Sequence, residues 1–154
     1  MRFAGDDDCP RANKLDREEL MYTVTVVRDR PDFRCFLDLL CGPGRDVDTE
    51  GDSFPVSSRA WTYLYVKDRE SEDPCMEIQV NEADGAIFNV QSESLKLEEL
   101  AALYLFLTCG GSISSAAQVL DEAAIRSLCE KYSVELGRAR SSIWQLSTDE
   151  PRSP

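Results

Sequence analysis

The sequence predicts an α+β domain: a mostly antiparallel sheet, with elements in the order β-α-β-β-β-α-α and helices packed on one face. Three observations predict it. The chain has 154 residues, near the size of one domain. Hydrophobic residues make up 42% and charged residues 30%, a globular balance. Between residues 21 and 146 the apolar pattern switches between a period of two and a helical period in short, well-punctuated blocks. That stretch is expected to form a single domain. Residues 1–20, which open with the run Asp6-Asp7-Asp8, are expected to be a mobile polar arm with a short helix at Lys14 to Leu20. Residues 147–154 are polar and Pro-containing and read as a disordered tail.

Tyr22 to Val27 alternates and is rich in β-branched residues, which predicts a strand. Pro31 to Cys41 reads as a helix, because Phe33, Phe36, Leu37, Leu40 and Cys41 fall on one face. Pro31 suits the first helical position, Asp32 complements the positive end of the dipole, and Gly42-Pro43-Gly44 stops the run. Residues 43–58 read as a long acidic loop. Three strands follow, at Ala60 to Lys67, Cys75 to Asn81 and Ala86 to Gln91. In the first, Trp61, Tyr63 and Tyr65 form one row and Thr62, Leu64 and Val66 the other. In the second, Met76, Ile78 and Val80 alternate with Glu77 and Gln79, one buried face and one wet face. Asn81 to Gly85 joins the second and third as a hairpin. Leu95 to Thr108 reads as a helix with Ser94 as N-cap and Gly110-Gly111 as its stop. Ser115 to Tyr132 reads as the last helix, with Ala117, Leu120, Ala124, Leu128 and Tyr132 along one stripe. Ile143 to Leu146 reads either as an edge strand or as an anchor for the C-terminus.

Charge narrows the function. Acids number 29 against 17 bases, a net charge of -12, and there is no histidine. Phosphate binding is driven by clustered Lys and Arg, so neither nucleic acid nor an anionic membrane surface is expected as a partner. Without histidine, Cys/His zinc sites, Ser-His-Asp hydrolysis and Cys-His hydrolysis drop out. The longest apolar run, Leu100 to Leu107, is far shorter than the ~20 residues of a membrane span. Six cysteines (Cys9, Cys35, Cys41, Cys75, Cys109 and Cys129) show no C-x-x-C spacing, and four of them fall in apolar helical patterns. Met1 to Asp8 is short, charged and without an apolar core, unlike a secretory leader. Six free thiols and a cytoplasmic location are the expectation.

Three constellations invite a chemical reading. Asp46, Asp48, Glu50 and Asp52 alternate around Gly51 and echo the start of a calcium loop. The position that needs a bidentate Glu is Ser57, and Pro55 replaces the following helix, so no metal or other cofactor is expected. Leu103 to Leu128, which includes the small-residue stretch Gly110 to Leu120, resembles the first two helices of the helix-turn-helix of LysR-type regulators, which implies a DNA-binding regulator. The reading segment would begin at Asp121-Glu122, and across 112–140 four acids match four bases, which leaves no positive footprint. Carboxylate pairs such as Glu98-Glu99 sit in polar helix turns, where an acid is usually a solvated charge, and no catalytic role is expected.

The composition therefore points to a non-catalytic acidic module that binds a protein with a basic surface. Inhibitors and immunity proteins that neutralise nucleic-acid-directed partners work this way, their acids standing in for phosphates. The partner-binding candidates are Asp46, Asp48, Glu50, Asp52, Glu70, Glu72 and Asp73, with the row Trp61, Tyr63 and Tyr65 as an aromatic anchor if exposed. The alternative is a secretion-chaperone-like homodimer holding a client protein, with Leu100 to Leu107 as the dimer helix.

Overall fold

The computed structural model describes residues 21–146. The expected arm at 1–20, its helix at Lys14 to Leu20 and the expected tail at 147–154 lie outside the described residues. Seven strands form one sheet: β1 (Tyr22–Val26), β2 (Val47–Gly51), β3 (Tyr63–Asp68), β4 (Met76–Val80), β5 (Ile87–Ser92), β6 (Gly110–Ser115) and β7 (Gln118–Val119). Their spatial order is β2-β3-β4-β5-β1-β6-β7, and every neighbouring pair is antiparallel. With helices α1 (Arg34–Leu40), α2 (Leu95–Cys109), α3 (Glu122–Lys131) and α4 (Ser133–Arg140), the architecture is the expected α+β class.

Alternation in the strands aims one row of each at the helices. Tyr22, Val24 and Val26 of β1, Leu64 and Val66 of β3, Met76 and Ile78 of β4, Phe88 and Val90 of β5, and Ile113 of β6 join a single core. α2 lies against this face, and α1 and α4 pack on each other beyond it. Leu100 to Leu105 are therefore all buried within the chain itself. A helix covered on two sides has no reason to keep a polar face, which explains its all-round apolarity. Leu100 to Leu105, in the segment that the alternative reading makes a dimer helix, thus lie at the centre of the molecule, while Leu107 is exposed. Ser94 caps α2 as expected, accepting from the Leu97 amide at 3.2 Å.

Three expectations need correction. The acidic segment expected to be loop contains β2, an edge strand paired to β3 from Val47↔Asp68 to Gly51↔Leu64. Edge strands carry charged residues, and the alternation Val47, Thr49 against Asp48, Glu50 was masked by their number. The helix expected from Ser115 begins only at Glu122; before it, β6 and β7 form a hairpin whose turn residues Ala116 and Ala117 have φ of 53° and 65°. Alanine is the strongest helix former and is unusual at positive φ, so the pattern misled. The helix-turn-helix resemblance loses its second helix with this finding. Finally, six free thiols were expected. Cys35, Cys41, Cys109 and Cys129 are free, but Cys75 is disulfide-bonded. The last segment, Ile143–Leu146, is a 3-10 turn, and Trp144 packs on the core. Among the described residues no helix is long and apolar enough to cross a membrane.

Candidate functional site

The pairing of β2 with β3 brings the two acidic runs together. Asp46 precedes β2, and the connection after β3 folds back beside it. The Arg69 amide donates to Asp46 O at 2.9 Å, and the Asp46 amide donates to Glu70 Oε2. Arg69 also forms ion pairs with Asp46 at 3.1 Å and Asp48 at 3.4 Å, so those two carboxylates share one guanidinium. Glu72 and Asp73 lie exposed on the same connection. Asp48 and Glu50 sit opposite Lys67 and Tyr65, on the sheet face away from the helices. Asp46, Asp48 and Glu70 thus meet at one end of the edge strand, Glu72 and Asp73 follow on the connection after β3, and Glu50 lies further along β2.

Asp52 does something different. Its Oδ1 accepts from the amides of Thr62 at 2.8 Å and Tyr63 at 3.1 Å, and its Oδ2 accepts from the Thr62 hydroxyl. Partial burial pushes its carboxyl up, but the Thr62 hydroxyl and the two amides outweigh that and hold it below the usual value. Asp52 is a clasp that closes residues 52–62 into a loop of the Ω type. The loop is pinned twice more. The Arg30 amide donates to Arg59 O at 2.9 Å, and the Trp61 indole donates to Pro31 O at 2.9 Å.

At the start of this pinned loop stands Phe54, 91% exposed, with Val56 51% exposed beside it. A hollow of about 100 Å³ lies next to them, between Val56, Gly51 of β2, Phe33 and Leu64. Neither residue belongs to a periodic pattern, so periodicity gave no reason to single them out. The signal available was an aromatic residue inside a polar, Pro- and Ser-containing loop.

The predicted aromatic row is not a surface feature. Trp61 is 1% exposed and lies in the core, edge-on to Phe36 and Phe88 at 5.9 and 6.3 Å. It precedes β3, so the alternation that would align it with Tyr63 and Tyr65 does not hold. Tyr65 is 0% exposed. Tyr63 is half-buried and donates to Glu77 Oε2 at 2.9 Å, so Glu77, expected on a wet face, is buried too. Of the surfaces in the chaperone reading, Trp61, Tyr65 and Leu100 to Leu105 are interior, while Tyr63 and Phe106 are half-buried and Leu107 is exposed.

The pair Glu98-Glu99, expected in a solvated turn, is buried at 1% and 9% exposure. Glu98 accepts from the amides of Ser92 at 3.1 Å and Tyr22 at 3.3 Å. Glu99 accepts from the hydroxyls of Tyr132 at 2.6 Å and Tyr22 at 3.0 Å and from Lys131 Nζ at 3.2 Å. The two carboxylates tie α2 to β1 on one side and to the α3–α4 junction on the other. Their lone pairs are spent on that work, which suits a structural pin better than a general acid. Among the described residues there is no cluster of His, Cys, Asp and Glu able to hold a metal. Comparison of the chain with protein-family models, with curated proteins and with solved structures finds no match, so the functional reading rests on this geometry.

Proposed function

We propose that the chain is a non-catalytic acidic module that binds a protein with a basic surface along β2 and the 52–62 loop. One observation carries the reading: Phe54 is almost fully exposed on a loop whose backbone is pinned at three places. An exposed aromatic costs nothing to hold ready when its loop is already ordered, and aromatic anchors supply most of the energy at interfaces. The acids at Asp46, Asp48, Glu50, Glu70, Glu72 and Asp73 give the same edge a negative potential, which steers a basic partner and raises its association rate. The finer form is an inhibitor or immunity protein whose partner acts on nucleic acid, the carboxylates occupying sites meant for phosphate. A cytoplasmic location is not carried into the proposal, because the Cys75 bridge is of a kind that persists in oxidising compartments.

The test is affinity capture from the native source with three full-length baits: the natural chain, Phe54→Ala, and the triple change Glu70→Gln, Glu72→Gln, Asp73→Asn. The reading expects one protein of basic surface held by the natural chain, released by salt and lost from both variants. A partner retained equally by all three baits would remove the edge as the site.

A further inference from the structure

The described residues also hold a cleft lined by arginines. Arg28, Asp29 and Arg30, just past β1, border an opening of about 460 Å³. Arg59 lines it from the 52–62 loop, Thr108 from the end of α2, and Gln145 from the C-terminal 3-10 turn. Each guanidinium is steered by a backbone carbonyl: Arg28 donates to Thr108 O at 3.1 Å, Arg30 to Trp61 O at 2.9 Å and Arg59 to Gln145 O at 3.2 Å. The Arg30 guanidinium also lies 5.2 Å from the centre of the Phe88 ring. Three segments distant in sequence thus hold three cations around one opening, in a chain of net charge -12. Asp29 is the one acid among the described lining residues, and Arg28 and Arg30 flank it.

We propose that this cleft binds a compact phosphate-type oxyanion carrying two or more negative charges. A guanidinium presents five N–H donors in a planar fork that matches such oxygens, and the bonds to Thr108 and Trp61 spend one each on Arg28 and Arg30. The opening falls within the ~300–1,000 Å³ range of small-molecule sites. Among the described residues no aromatic side chain lines it, and its donors are guanidinium groups. The ligand that fits these forks is dominated by its charge, either inorganic phosphate or pyrophosphate or the phosphoryl group of a small monoester.

The test is calorimetric titration of the full chain with phosphate, pyrophosphate and glycerol phosphate, with acetate at matched ionic strength as control. Saturable binding of at least one phosphate species is expected, at a Kd at least tenfold lower than any acetate binding. The tightest species tells the source: pyrophosphate or phosphate for a free inorganic anion, glycerol phosphate for a monoester. Arg28→Gln, at an exposed position, should weaken binding about tenfold without changing the melting temperature of the free protein. Asp29→Asn should tighten it several-fold, a gain that misfolding does not produce. Phe54→Ala should leave it unchanged, which separates this cleft from the acidic edge. Binding that acetate reproduces, or that neither Arg28→Gln nor Asp29→Asn alters, overturns the proposal.

Discussion

Replacing Glu99 by Gln tests the buried knot that joins the sheet to the last two helices. The side chain is nearly isosteric, so the packing stays and only charge and acceptor count change. Glu99 receives two tyrosine hydroxyls, from Tyr132 and Tyr22, and Lys131. Hydrogen bonds to a charged group are worth about 1.5–3 kcal/mol each, and neutral ones about 0.5–1.5. The exchange should cost about 1–1.5 kcal/mol at each hydroxyl. Lys131 is 57% exposed, so its ion pair adds at most ~1 kcal/mol after screening. The sum is about 2–4 kcal/mol, or roughly 5–15 °C in melting temperature for a domain of this size. The pH dependence has a definite sign. Burial pushes the Glu99 carboxyl up, but the bonds from Tyr132, Lys131 and Tyr22 outweigh it and hold it below the usual value. Its contribution is therefore full above the unfolded value near ~4.3 and is lost as pH falls through the lower folded value. Tyr22 is pushed up to about 12, first by burial and then by its bond to Glu99. Its contribution is full below ~10 and fades as pH rises from there towards about 12. Urea unfolding of the natural chain, Glu99→Gln, Tyr132→Phe and the double variant measures the coupling directly. A loss under ~0.5 kcal/mol in Glu99→Gln, or a 99–132 coupling near zero, refutes the reasoning.

Other perturbations separate structure from function. Ala116→Asn with Ala117→Gly places the preferred residues at a turn that needs positive φ twice, and urea midpoints should show about 1–2 kcal/mol of added stability. Gly110→Ala should cost about 2–3 kcal/mol in the same assay, because the new Cβ would lie 2.8 Å from Phe106 Cα and from Val24 Cγ1. Asp52→Ala opens the loop clasp and should cost about 1–2 kcal/mol at pH 7, a difference from the natural chain that shrinks as pH falls below ~4, read by melting at a series of pH values. Phe54→Ala should change stability by less than ~0.5 kcal/mol while abolishing capture of the partner, since the ring is 91% exposed.

Legibility in the sequence followed the strength of the local period. β1, β4, β5 and α2 lie where alternation or helical spacing places them, within a residue or two. β2 was hidden because four acids in seven residues outweigh two inward positions, Val47 and Thr49, in any reading by polarity. The β6–β7 hairpin was hidden because Ala116 and Ala117 favour helix locally, and tertiary pairing with β1 overrides them. At the site, the meeting of the two acidic runs was legible only as nearness in sequence, and the β2–β3 register makes it nearness in space. The aromatic row broke in two places: Trp61 lies before the strand and enters the core, while Tyr63 and Tyr65 lie within it, half-buried and buried. Phe54 and the arginine cleft had no periodic signature. Each depends on chain segments that only the folded connection brings to their places.

The 52–62 loop is the element that links the acidic edge to the arginine-lined opening. Asp52 fixes its beginning to its end, and Arg59 O and Trp61 fix its later half to residues 30 and 31. The earlier half therefore presents Phe54 beside the acids of β2, and the later half delivers Arg59 to Arg28 and Arg30. Asp46 and Asp48 are partly satisfied by Arg69, and Glu70 by the Asp46 amide, which keeps these three close without exposing three bare charges. Neutralising Asp52 along with the others would mix a loop fault with a field effect. An experiment on steering should leave it in place and change Glu70, Glu72 and Asp73, which sit on the rim and act across a Debye length of ~8 Å. Rim charges govern association rate and its salt dependence, whereas the aromatic anchor governs dissociation. A partner held by this edge should thus show the two effects on separate residues, the first on Glu70 to Asp73 and the second on Phe54.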